Sequence, residues 1–267
     1  MTDRQPITDN RCLTIRVSRN SLSFSTIEAG EVIYVPYTLN SSISMAANLR
    51  EAFHSEAILA NSYRRVEVMV DTPVLMVPTN LFDEEEQEAL YHHAFSRQEQ
   101  LAVMHTVLPD INAVAVFALQ KDLRGVITNV YPEAHFMAAV APVWRYLHQR
   151  SYMGKHQKLF GYFHDQRLEV FSYGQNRFRF CNSYAVNNPN DALYYLLAVW
   201  KQLGFEPEHD EMHLAGQLDD REVFITEAQK FVKRVFYINP SSEFNRASVT
   251  RIEGMPYDLM TLYIKGK

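Results

Sequence analysis

Between residues 158 and 202 the chain reads KLFGYFHDQRLEVFSYGQNRFRFCNSYAVNNPNDALYYLLAVWKQ, and the apolar positions change period once along it. Three short apolar runs, at 159–163, 168–173 and 178–184, are separated by the turn-like HDQR and YGQN. That pattern predicts three strands joined by two hairpins. From Pro189 onward Leu193, Leu196, Leu197 and Trp200 recur at helical spacing, and Pro189, Asn190 and Asp191 suit a helix start. The unit is therefore three strands followed by a helix.

An earlier stretch has the same form. CLTIRVS predicts a strand, RN a turn, SLSFSTI a second strand and EVIYVPYTL a third, with Pro36 placing the third at an edge or a bulge. Ser41 or Ser42 then caps a helix running through Met45, Leu49, Ala52 and Phe53, and residues 1–11 form a loose tail. At a constant offset Leu13 meets Leu159, Val17 meets Phe163, Leu22 meets Leu168, Phe24 meets Val170, Val32 meets Phe178 and Tyr34 meets Phe180. These matches imply a duplication.

Between the copies, RRVEVMVD and PVLMVPTNLF predict a pair of strands with the turn at Asp71, Thr72 and Pro73. DEEEQEALYHHAF predicts a helix with Asp83 as cap and Glu86 three residues on. Its acidic opening reads as a solvated first turn, not as a carboxylate metal site. LAVMHTVLP and INAVAVFAL are two further strands, QKDLRGVITNVYP a short helix closed near Pro132, and AHFMAAV a strand. In APVWRYLHQR, a helix, Val143, Trp144 and Leu147 face inward. The polar HQRSYMGKHQK divides the chain into domains 1–153 and 154–267. Beyond Gly204, which stops the helix, a strand at 211–215 ends at Gly216, a helix starts near Asp219, and VKRVFYI is another strand. The closing FNRASVTRI and YDLMTLYIKG fit strands or a terminal helix equally. Strands interleaved with helices in two matched halves give an α/β class.

Composition narrows the function classes. Of 267 residues 47% are hydrophobic, with 16 Phe and 15 Tyr, as in an ordered globular protein. A formal net charge of -5 lacks the basic signature of a nucleic-acid binder. Arg177, Arg179, Lys230, Lys233 and Arg234 lie beside Phe178, Phe180 and Tyr237 as charges do on a half-buried strand. Cys12 and Cys181 read as buried free thiols. MTDRQPITDNR has no apolar signal core and no run approaches a membrane span, so the expected location is the cytoplasm.

Chemical motifs are sparse. His209 and His213 in HDEMH lack the HExxH order and a shared helical face, and His92 with His93 offers no third ligand, so no metal site is expected. His164 and Asp165 fall at a hairpin turn, where both types are common for local reasons. Neither GxSxG nor GxxxxGK[ST] occurs.

The phrases LTIRVSRNSLSFSTI, LFGYFHDQRLEVFSYGQNRFRFCNSY, DALYYLLAVWKQLGF and MHLAGQL resemble the DUF3822 family of Bacteroidetes proteins. The resemblance implies an actin-like ATPase fold built from two RNase-H-like halves, similar to bacterial pilus and secretion assembly proteins. Nucleotide binders of that fold use an acidic, glycine-containing first hairpin, a related second one and a glycine-rich adenosine turn. On this chain the first hairpin has Arg16 and Ser18 in those places, the second keeps only Asp165 as its acid, and the adenosine segment has Gly216 with no adjoining glycine. The resemblance therefore implies a non-catalytic binding or assembly protein without a cofactor, engaging an unidentified protein partner through a groove or an edge strand. The alternative is an ATPase or small-molecule kinase taking ATP and Mg²⁺. It would place Asp165 or Asp71 near the phosphates, Arg16 as a supply of charge, and Gly216 near the base.

Overall fold

The computed structural model describes residues 11–95, 98–174 and 177–265. Except for Arg11, the expected tail lies outside the described residues, as do Gln175 and Asn176 of the second hairpin turn. The chain opens with β1 (Cys12–Val17), β2 (Leu22–Glu28), β3 (Glu31–Tyr37), α1 (Met45–Ser55) and β4 (Arg65–Val70). Next come β5 (Leu75–Pro78), α2 (Gln87–Ala94), β6 (Leu101–Leu108), β7 (Ala113–Gln120), α3 (Lys121–Val130), β8 (His135–Ala138) and α4 (Ala141–Ser151). The second half has β9 (Lys158–His164), β10 (Arg167–Gly174), β11 (Arg177–Ala185), α5 (Pro189–Gln202), β12 (Glu211–Gly216), α6 (Arg221–Ala228) and β13 (Arg234–Tyr237). Two helices, α7 (Pro240–Glu243) and α8 (Tyr257–Lys265), close the described chain.

One sheet has the order β3-β2-β1-β4-β8 and another β11-β10-β9-β12-β13, so the duplication is one of topology. Ile15 pairs with Phe24 and, at the same offset, Gly161 pairs with Val170. Ile27 opposite Val32 likewise matches Tyr173 opposite Phe178. A β-bulge between Ser172 and Tyr173 then adds one residue to β11. By pairing, Tyr34 therefore answers to Cys181 and not to Phe180. Pro36 lies on β3, an edge strand, where a missing N–H costs no ladder bond.

The halves differ between their fourth and fifth strands. In the second half the connection holds α6 alone, whereas the first half inserts β5, α2, β6, β7 and α3 and builds a third sheet, β5-β7-β6. This corrects the expected strand pair around Asp71. Both flanks of β4 are taken by parallel neighbours, β1 and β8, so β5 has no place beside it and pairs with β7. Two helix starts also shift. Ser44, not Ser41 or Ser42, caps α1, its hydroxyl accepting from the Ala47 N–H. Asp83 accepts from Glu85 N instead of closing a box with Glu86, and α2 begins at Gln87.

One apolar cluster spans both halves, and a second lies within the second half alone. Leu13, Ile15 and Val17 share the first with Trp144 of α4 and with Phe160, Tyr162 and Phe171 of the second sheet. The Trp144 ring meets Phe178 edge-on at 5.1 Å, and the Tyr173 hydroxyl donates to the Trp144 carbonyl at 2.7 Å. The described part of YDLMTLYIKG is the helix α8, which lies over the first sheet: the Tyr263 hydroxyl donates to Ser25 Oγ at 2.9 Å and Thr14 Oγ1 at 3.3 Å. Both cysteines are free and half-buried, and burial pushes the Cys12 thiol up to about 11. Among the described residues no helix is long and apolar enough to cross a membrane.

Candidate functional site: an ionic clasp between two hairpins

The turns that end β1 and β9 face each other. In the first, Val17 pairs with Leu22 across a four-residue loop, closed by Ser18 N donating to Ser21 O at 2.9 Å. In the second, His164 pairs with Arg167, and the two loop residues Asp165 and Gln166 both have positive φ, 42° and 60°. That is the mirror-type turn that suits the twist of a two-residue hairpin.

Alternation decides what each strand sends where. Leu13, Ile15 and Val17 enter the core, which leaves Thr14, Arg16 and Ser18 on the face covered by α8. On β9 the positions repeating Arg16 and Ser18 are Tyr162 and His164, both buried. Arg16 Nε donates to the two carboxylate oxygens of Asp258 at 2.9 and 3.0 Å, and Nη2 adds a third bond at 2.8 Å. Tyr162 donates its hydroxyl to the same carboxylate at 3.2 Å. Equivalent positions of the two repeats thus converge on one acid from α8.

Arg16 also crosses to the second hairpin. Its Nη2 donates to Asp165 Oδ2 at 2.8 Å, and Ser18 Oγ donates to Asp165 Oδ1 at 3.1 Å. Asp71, at the end of β4, lies 3.2 Å from His164 Nδ1, while Glu169 Oε1 is 3.6 Å from His164 Nε2 and 3.3 Å from Arg167. Four carboxylates thus face three cations, and each has a cationic nitrogen within 4 Å. His164 stacks on Tyr162 at 4.5 Å, an added favourable contact for an imidazolium.

The electrostatics follow from burial set against these partners. Burial alone would depress the His164 imidazolium, but Asp71, helped by Glu169, raises its pKa to about 10. Burial likewise opposes ionisation of Asp165, yet Arg16 and His164 outweigh it and hold the group at about 2. Asp71 is raised by burial and drawn back by His164. The oxygens of Asp71 and Asp165 and a nitrogen of His164 lie within 4.8 Å of one another, a set that could hold a metal ion, and all three are engaged in the clasp.

The other sequence-predicted residue, Gly216, takes no part in the ionic clasp but shares a cavity with two of its members. Gly216 ends β12 and, with Arg16 and Asp165, lines a cavity of about 550 Å³; Asp71 does not reach it. Its φ is +90°, and a Cβ there would meet the Phe163 carbonyl oxygen at 2.1 Å. Glycine is therefore required by the backbone itself. Gly216→Ala is expected to cost about 2–4 kcal/mol, the sum of a strained φ and an overpacked contact. Chemical denaturation measures it, and a loss below about 0.5 kcal/mol would contradict the packing argument.

The model of a family described as "Protein of unknown function (DUF3822)" matches residues 3–235. The chain belongs to the DUF3822 family. A crystal structure from Bacteroides thetaiotaomicron, titled a protein with actin-like ATPase fold and unknown function, is 30% identical to this DUF3822 chain. It covers 92% of this chain and 97% of its own length, with a TM-score of 0.81. A PilM–PilN type IV pilus biogenesis complex matches over 95% of this chain and 96% of that one, at 9% identity and a TM-score of 0.56. No curated protein matches the chain. The DUF3822 protein is thus an α/β protein of actin-like ATPase fold, and its two similarly built five-stranded sheets are the duplicated RNase-H-like halves.

Sequence reasoning on the DUF3822 chain found Arg16, Asp71 and Asp165 and missed Asp258, Glu169 and the part played by His164. Asp258 and Glu169 carry a readable signal, each being a lone acid inside an apolar run, PYDLM and LEVF. A lone buried charge demands a partner. The clasp also predicts a pH dependence. A basic group raised in the folded state contributes fully below its unfolded pKa, near 6.5 for histidine, and loses that contribution as pH rises through about 10. Stability should therefore fall between about pH 6.5 and 10, and His164→Gln should flatten that slope. Equal slopes in both proteins would exclude a charged His164.

Proposed function

We propose that this protein is a non-hydrolysing member of the actin-like fold that acts as a binding or assembly protein. The observation that carries the reading is that, among the described residues, each carboxylate at the facing hairpins has an arginine or histidine partner. Phosphoryl transfer needs Mg²⁺, and Mg²⁺ is held through carboxylates and water. A carboxylate already held in a buried ion pair is a poor ligand, since freeing it would strand its buried partner. The apolar core shared by both halves supports a closed, rigid body over one that opens around a substrate. The PilM–PilN complex provides an instance of this fold engaging another protein, and an unidentified protein partner is the corresponding expectation for this chain. Lys230, Lys233 and Arg234 are each paired with Glu227, Glu208 or Glu211, which weighs against a nucleic-acid surface.

One observation favours the alternative, an ATPase or small-molecule kinase: Arg16, Asp165 and Gly216 line a single cavity of about 550 Å³. Mg²⁺-dependent ATP turnover separates the two. Wild type and Asp165→Ala are expected to be alike at background. Turnover well above background that Asp165→Ala abolishes would overturn the non-hydrolysing reading.

A further inference from the structure

We infer that the larger groove of this chain, beside the clasp, is the docking site for an extended segment of a partner protein that carries apolar residues and a carboxylate. The inference rests on the protein-binding reading above and assigns that reading a surface and a ligand chemistry. The groove measures about 1010 Å³ and meets the smaller cavity at Asn20 and Asp165. It stands at the upper end of the usual range of small-molecule pockets, about 300–1000 Å³.

Its position follows from the one asymmetry of the duplicated fold. The groove forms where both hairpin turns meet the three-stranded sheet and α2, which are inserted in the first half and have no counterpart in the second. Leu119 and Leu123, at the junction of β7 and α3, give it an apolar floor, joined by Leu101 of β6 and by Tyr91 and Phe95 at α2. Apolar side chains of a ligand match such a floor.

The rim is of a different kind. Asn20, Gln98, Gln120, Gln166 and Asn187 all line the groove and are exposed. A side-chain amide offers both donors and an acceptor, the complement of a peptide unit, so five of them around an apolar floor suit an extended backbone. Charge sets the last requirement. Asp71 and Asp165 at the base are paired with His164 and Arg16, which leaves the exposed Arg19, among the described residues, as the uncommitted charge at the turn. Its complement is a carboxylate.

The test pans a phage-displayed random octapeptide library on the full chain, with Gln120→Trp panned in parallel to fill the groove. Gln120 is exposed and makes no side-chain cap bond to α3, so the variant keeps the fold. The most enriched peptide, labelled with fluorescein, is then titrated by polarisation. Expected are peptides with a carboxylate beside two or more apolar residues, and a Kd weakened about tenfold or more by both Arg19→Glu and Gln120→Trp. Tyr34→Phe, in the smaller cavity, should leave it unchanged. No enrichment over Gln120→Trp, enrichment of lysine-bearing peptides, or a Kd that neither groove variant moves would overturn the inference. So would a dimer on gel filtration that Gln120→Trp dissolves, since the occupant would then be a second copy. Peptide binding with the expected pattern supports the groove whatever ATP turnover shows, and a failed groove leaves the non-hydrolysing reading to its own assay.

Discussion

Replacing Arg16 by methionine is expected to lower the unfolding free energy by about 3–5 kcal/mol. The guanidinium has a side chain 3% exposed and forms ion pairs with Asp258, 1% exposed, and with Asp165. Methionine fills much of the same volume, so the loss reports charge and not a cavity. It strands Asp258 in a site where burial penalises the anion and only the Tyr162 hydroxyl still donates to it across the fold. Arg16→Lys should fall between, because an ammonium keeps the charge but not the planar fork that binds Asp258. The acid limb should change as well. A carboxylate depressed in the folded state stabilises above its unfolded pKa, near 3.8, and loses that contribution as pH falls through about 2. Without Arg16, Asp165 moves back up and that steep acid loss shrinks. Urea denaturation between pH 2 and 7 reads both effects. A loss at neutral pH below about 1 kcal/mol would mean that the clasp contributes no more than a surface pair.

Trp144→Ala is the second large effect, at about 3–5 kcal/mol. Trp144 is fully buried in α4, within a core that includes side chains of both sheets. Its truncation opens a cavity beneath Phe178 and disturbs the helix turn whose carbonyl accepts the Tyr173 hydroxyl. Because the core is shared, both halves should unfold together at a lower temperature. Coincident near- and far-ultraviolet circular dichroism transitions, both shifted down, are the expected result. Two separated transitions, or a shift worth less than about 1 kcal/mol, would contradict a coupling of the halves through the cluster they share.

Much of the fold was legible because local patterns and tertiary roles agree in it. The meander at 158–184 and its earlier copy are short apolar runs, the first two strands of each buried on both faces and the third alternating at an edge, and their turns hold the residues that turns need. Reading failed where the decision is made at long range. Nothing in RRVEVMVD tells whether its neighbour is PVLMV or a strand met much later. The chain settles it by giving β4 two parallel partners, one of them more than sixty residues downstream. The terminal YDLMTLYIKG had no decisive period, because it is apolar on most sides and is held by the first sheet.

The site divides in the same way. Arg16, Asp71 and Asp165 were visible as departures at hairpin and strand ends, and the structure joins them in one ionic network. Asp258 escaped because its partner stands 242 positions earlier. Gly216 drew attention as a candidate ligand contact, and its left-handed backbone against Phe163 gives it a structural reason to be glycine. His164 looked like an ordinary turn residue and is buried between two acids that favour its protonated form.

Calorimetric titration of the full-length protein with ATP in excess Mg²⁺ tests most directly whether the clasp takes the place of a nucleotide site. Arg16 and His164 already satisfy the acids at the two hairpins, so the titration is expected to give only heats of dilution at high protein concentration, with Arg16→Met as silent as wild type. Saturable binding near one nucleotide per chain, lost in Asp165→Ala, would contradict it.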